Sequence, residues 1–169
     1  MTIHAALLLT LLQAGMAADP SMAPTCSATP APPPAGMEGW SKAQSIKGGA
    51  NPAQATLLPI GSGVTATLLK TPKVDYAVRP EKPGGSVSSG GMFAFVVPAA
   101  GRYRIALGSG AWVDVLSGTT PAVSVSHGHG PDCTGIRKMV DFDLQPGRYL
   151  LQIAGNAGAT LPLMVARLP

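Results

Sequence analysis

An all-β fold, two antiparallel sheets packed face to face as a jelly-roll-like sandwich, is predicted by three features of this sequence. From residue 55 onward, short runs rich in Val, Ile, Leu, Phe and Tyr alternate with Gly/Pro/Ser clusters, the pattern of strands and turns. No segment after Gly36 carries a helical hydrophobic period. Two passages, FVVPAAGRYRIAL (95–107) and FDLQPGRYLLQI (142–153), repeat one scheme: a strand end, a Pro-containing turn, then Gly-Arg-Tyr opening the next strand. Glycine permits the positive φ of a hairpin and proline presets the turn. Such pairs recur in two-sheet sandwiches.

The elements follow in order. Residues 5–14 are almost continuously apolar, too short for a permanent transmembrane helix, and Gly15 and Ala17 fit a cleavage site after Ala17. Residues 1–17 therefore read as a secretory signal peptide, although the segment ahead of the apolar run has no Lys or Arg. Cys26 lies too far beyond that run to be a lipoprotein cysteine. Residues 18–54 form a Pro/Gly-rich segment that begins as an extended, polyproline-like tether. It continues as irregular structure with one helical turn near 41–45, and Trp40 is its anchor on the sandwich.

Residues 55–169 make the sandwich domain. Candidate strands are 56–59, 64–69, 93–97, 103–107, 112–116, 122–126, 137–144, 149–153 and 163–166, with a short edge strand at 74–78 in a long Pro- and Gly-bearing loop. Once the leader is removed no second long apolar run exists, so no transmembrane segment remains. The net charge of +4 comes from scattered Lys and Arg, never concentrated as a nucleic-acid face requires. The chain is expected to be periplasmic or secreted, with a small molecule, a glycan or an envelope protein as partner and no nucleic acid.

Chemistry concentrates in SVSHGHGPDCTG (124–135). In an extended strand His127 and His129 point to the same side. With Cys133, and with Asp132 or water completing the shell, they would suit Zn(II) or copper. The competing expectation is a disulfide between Cys26 and Cys133, the two cysteines of the chain, in an oxidising compartment. The two exclude each other at Cys133.

In AWVDVL, Trp112 and Asp114 share a face. Either Trp112 is buried with Asp114 pairing an arginine, or the two are exposed together as a sugar platform. In RKMVDFDL, Val140, Phe142 and Leu144 face inward, which puts Asp141 and Asp143 on the solvated face of an edge strand or at a cation. Lys138 falls on the inward parity, near Cys133 and the histidines, either capping the sheet end by snorkelling or serving a site. No G-x-S-x-G elbow occurs, and the Gly-rich stretches lack the Lys and helix of a phosphate cradle.

The units VPAAGRYRIAL and LQPGRYLLQIAG resemble the strand–turn–strand units of bacterial pre-peptidase C-terminal domains. The wider pattern from AWVDVL to LLQI is similar to a set of short exported bacterial proteins, some labelled homogentisate 1,2-dioxygenase. That resemblance implies a cupin-type Fe(II) enzyme with two histidines and a carboxylate. Here His127-x-His129 is present, but Asp132 or Cys133 stands where Glu is wanted, and no histidine follows His129. The leading expectation is thus a binding or envelope-associated module; a His/Cys metalloprotein and the iron enzyme are the alternatives.

Overall fold

In the computed structural model, which describes residues 25–26 and 29–169, the strands fall into two sheets. The expected leader, 1–17, lies outside the described residues. In chain order the strands are β1 (Gln44–Lys47), β2 (Thr56–Leu57), β3 (Val64–Thr67), β4 (Leu69–Lys70), β5 (Ser89–Val97) and β6 (Gly101–Leu107). There follow β7 (Trp112–Ser117), β8 (Thr120–Pro121), β9 (Ser124–Gly128), β10 (Lys138–Leu144), β11 (Gly147–Asn156) and β12 (Thr160–Arg167). The first sheet runs β1-β3-β12-β6-β10-β9 and the second β2-β5-β11-β7-β8, with β4 also on β5.

The chain passes from one sheet to the other between β5 and β6, β6 and β7, β10 and β11, and β11 and β12, as a jelly roll does. The sheets are mixed, not wholly antiparallel: β1 joins β3, and β2 joins β5, in parallel. No helix among the described residues is long and apolar enough to cross a membrane.

Alternation builds the core. Phe93, Phe95 and Val97 of β5, Val113 and Val115 of β7, and Leu151 and Ile153 of β11 meet Tyr103, Ile105, Leu107, Phe142, Leu163 and Val165 of the other sheet. Val74–Val78, expected as an edge strand, forms none; a 3-10 turn at Thr71–Lys73 precedes it and the loop lies over the second sheet.

The repeated Gly-Arg-Tyr scheme proves to be a corner between sheets, not a hairpin within one. Tyr103 donates its hydroxyl to the Ala99 carbonyl at 2.8 Å, and Tyr149 donates to that of Gln145 at 3.0 Å. Each buried tyrosine thus ties its own strand to the turn four residues back, satisfying a hydroxyl that the core would otherwise leave unpaired. Gly101 needs no positive φ there.

The outer face of the first sheet is not left to water. The described part of the Pro-rich segment lies across it, fastened to the 131–136 turn at three points. The Cys26–Cys133 disulfide is formed, with Cα atoms 5.3 Å apart. The Ala31 amide donates to the Cys133 carbonyl at 2.9 Å, and the Trp40 indole N–H donates to the Thr134 carbonyl at 3.0 Å. Met37 is fully buried among Ala106, Ile136, Met164 and Ala166. Gly39 approaches the backbone of Gly61 so closely that a Cβ there would strike its carbonyl oxygen. Residues 44–47, expected to be irregular, form β1, because parallel pairing with β3 needs only backbone; Ile46 is the one apolar side chain it contributes.

Asp141 and Asp143 pair with arginines and do not mark an edge. β10 sits between β6 and β9, and the two aspartates stand directly opposite Arg104 and Arg102. The Arg104 guanidinium grips the buried Asp141 carboxylate in two bonds of 2.7 and 2.8 Å. The Arg102–Asp143 pair repeats the arrangement in the open.

Two stability measurements check this account. Denaturant unfolding of Cys26→Ser/Cys133→Ser is expected to lose up to about 4–5 kcal/mol, since the bond spans 107 residues and cross-linking such a span restricts the unfolded chain by that order. Met37→Ala is expected to cost about 2–5 kcal/mol, as for other buried methionines, where a dangling tether would show no change.

Candidate functional site

The disulfide decides the first question raised by SVSHGHGPDCTG. Cys133 is bonded to Cys26 and supplies no thiolate, so the His127/His129/Cys133 metal set is not assembled. No group of three or more His, Cys, Asp or Glu able to hold a metal ion occurs among the described residues, Asp132 included. Cys133 takes a left-handed φ of 62°, costly for a residue with a Cβ. The turn that holds it there is closed by the Thr134 hydroxyl, which donates to the Pro131 carbonyl at 2.7 Å. His129 Nδ1 lies 3.0 Å from the Arg137 carbonyl and 3.5 Å from the Arg137 guanidinium.

The same loop forms one wall of a cleft at the open side of the sandwich. β8 covers β7 only at Leu116–Ser117, after which the chain crosses to become β9 in the other sheet. Residues 112–114 therefore have no strand on their outer side, and the two sheets part. The opening is about 560 Å³, floored by Val113, Val140 and Phe142 and rimmed by Trp112, Asp114, Glu81, Lys82, Lys138 and His127. Two smaller hollows, about 250 and 240 Å³, continue from Lys138, one toward His127, His129 and Arg137, the other past Trp112 toward Lys82. Lys138 borders all three. A larger and shallower hollow of about 690 Å³ lies over Arg102, Arg104 and Asp143, but its charges are already paired across the sheet.

Trp112 is held by a chain of hydrogen bonds that starts in the 71–88 loop. Gln152, fully buried on the outward face of β11, donates from Nε2 to the Val78 carbonyl at 3.1 Å and accepts the Val78 amide at 3.2 Å. The same Nε2 donates to Asp114 Oδ2 at 3.3 Å, while Asp114 Oδ1 accepts the Trp112 indole N–H at 2.8 Å. Tyr76 seats the loop by donating to the Ile153 carbonyl at 3.2 Å, its ring over Gly90, where a Cβ would collide with the hydroxyl. Asp114 thus pairs with an indole and an amide, not with an arginine, and Trp112 is half-buried beside it.

Burial pushes the Asp114 carboxyl above its ordinary value and the nearby Glu81 adds to this, against the opposing bonds from Trp112 and Gln152 and the charge of Lys138. Burial is also the main cause lowering the Lys138 ammonium; the charge of Lys82 adds to it and Asp114 opposes it. The Lys82 and Lys138 ammoniums each stand 5.5 Å from the centre of the Trp112 ring. Lys138 also donates to the Ala111 carbonyl at 2.9 Å.

Trp112, Asp114, Lys138 and His127 were all singled out from the sequence, and the fold brings them together. His129 borders one of the two adjoining hollows, and with Asp132 and Cys133 it also lines a separate hollow of about 510 Å³ off the cleft. Glu81, Lys82 and Gln152 gave no signal: two sit in a Pro-rich loop, and a glutamine inside an apolar strand has no motif. No protein-family model matches the chain, and no curated protein matches it.

A titration checks the electrostatics. With the lysines carrying ¹³C-methyl labels, the Lys138 resonance is expected to deprotonate below the ordinary lysine range. Lys82→Ala removes a repelling charge and moves the midpoint up; Asp114→Asn removes an attracting one and moves it down.

Proposed function

We propose that this chain is an exported binding module of the periplasm or outer envelope, and that its ligand lies in the cleft against Trp112. The observation that carries this is the fixed indole. A half-buried aromatic surface, oriented by Asp114 and Gln152 and bordered by polar groups with an apolar floor, has the composition of a small-molecule site. Both Asp114 oxygens are engaged by structural donors, so its part is to hold the ring. The compartment is supported by two independent features: the apolar leader of 1–17 and a disulfide across 107 residues. Bonds of that kind persist where thiols are oxidised.

Fractionation with N-terminal sequencing tests the first half: the mature chain is expected to begin at Ala18, without free thiol. For the second half, oxidised protein labelled at the Trp indoles is titrated with panels of neutral and acidic sugars, amino acids and small organic acids. The expected result is that one panel moves the Trp112 indole N–H resonance, leaves that of Trp40 in place, and is recovered chemically unchanged. A ligand that perturbs only the far face of the first sheet would overturn the assignment of the site.

A further inference from the structure

We propose that the cleft takes an acidic sugar, with its pyranose ring against Trp112, its hydroxyls toward Glu81, and its carboxylate or sulfate held by Lys138 and Lys82. This rests on the binding role proposed above and gives the ligand a chemical class.

The first support is an imbalance of pairing. The ion pairs among the described residues, Arg102–Asp143 and Arg104–Asp141, both lie on the outer face of the first sheet. At the cleft, Lys82, Lys138 and Arg137 have no carboxylate at ion-pair distance among the described residues. A half-buried ammonium is ordinarily compensated, because losing water around a charge is expensive. Lys138 spends one of its three donors on the Ala111 carbonyl. Its repulsion by Lys82, which stands at the same indole, is what an anion bound by both would relieve.

The second support is the arrangement of charge. The main cavity holds the two carboxylates, whereas the two hollows running from Lys138 are bordered by Lys82, His127, His129 and Arg137 and by no acid. A ligand matching this has hydroxyl donors at one end and an anionic group at the other, joined by a body with a face for the indole. A neutral sugar leaves the lysines uncompensated. An aromatic acid without hydroxyls offers nothing to Glu81, and a free inorganic anion makes no use of Trp112. The cavity of about 560 Å³ falls in the range of small-molecule sites.

The test uses the oxidised full-length chain and four probes: digalacturonate, the matching neutral disaccharide, a sulfated disaccharide of the same linkage, and inorganic sulfate. Affinity is measured by calorimetry and location by the Trp112 indole resonance. At least one acidic disaccharide is expected to bind about tenfold or more tighter than the neutral one, the effect of one well-placed charge contact. That preference shrinks as salt is raised from about 50 to about 500 mM. The carboxylate and sulfate arms identify which anion is preferred. Lys138→Met should erase the preference for the acidic over the neutral disaccharide, and Lys138→Arg should retain it. Should Lys138→Met fail to fold, the salt dependence of the preference in the unaltered chain decides the matter.

Equal affinity for neutral and acidic sugars at Trp112 overturns the acidic class and leaves the binding site standing. Sulfate alone binding as tightly as the sulfated sugar, with Trp112 unmoved, overturns the sugar. No probe moving Trp112 overturns the sugar assignment, while a response to a non-sugar in the broader panel would still preserve the cleft.

Discussion

The buried amide of Gln152 is the contact on which the cleft depends. It sits on a strand face that alternation assigns to the outside, and it is satisfied only because the backbone of Val78 closes over it. That pairing brings the 71–88 loop down onto the second sheet, and with it Glu81 and Lys82 reach the cleft. The remaining bond of the amide, to Asp114, sets the carboxylate that orients Trp112. A leucine at this position would fill the space and still leave the Val78 amide and carbonyl and Asp114 Oδ2 without the partner that Gln152 supplies. One polar side chain therefore couples the placement of a long loop to the orientation of an aromatic ring.

The other outward face is covered by different means. Prolines prevent the segment ahead of β1 from joining a sheet, yet it is fixed by a covalent bond, a backbone bond and an indole bond within one turn of the 131–136 loop. Met37 then fills a depression between strands whose outward residues, Ala106 and Ala166, are too small to fill it themselves. The small alanines and the large methionine are complementary, and neither is intelligible alone. Because the disulfide is anchored beside His129, the leading segment also braces the loop that walls the cleft.

The fold was legible because alternation and punctuation are local signals. Residues 93–97, 103–107, 112–116 and 149–153 fall wholly within strands and 137–144 all but its first residue, and Cys26 and Cys133 could pair only with each other. What escaped was whatever depended on a distant partner. β1 has a single inward aliphatic and exists because β3 offers it a backbone edge. The aspartates of β10 looked solvated because their arginines lie on another strand, 37 and 41 residues away. The tyrosine turns looked like hairpins because the sequence carries the turn and not the sheet to which each arm belongs. At the site, Trp112, Asp114 and Lys138 were found from strand parity. Glu81 and Lys82 come from a loop whose path is set by Gln152, and nothing local announces that.

The position of β12 governs when this molecule can come into being. Residues 160–167 lie between β3 and β6, so the first sheet stays divided into two unconnected halves until its central member arrives. Strands made early must wait, with apolar faces uncovered, for one made more than ninety residues after β3. Such non-local pairing makes for slow assembly and a vulnerable interval. A nascent chain accordingly cannot complete its first sheet before β12 is made. A chaperone that shields exposed strand edges would be most valuable to this chain in the interval before β12 is made.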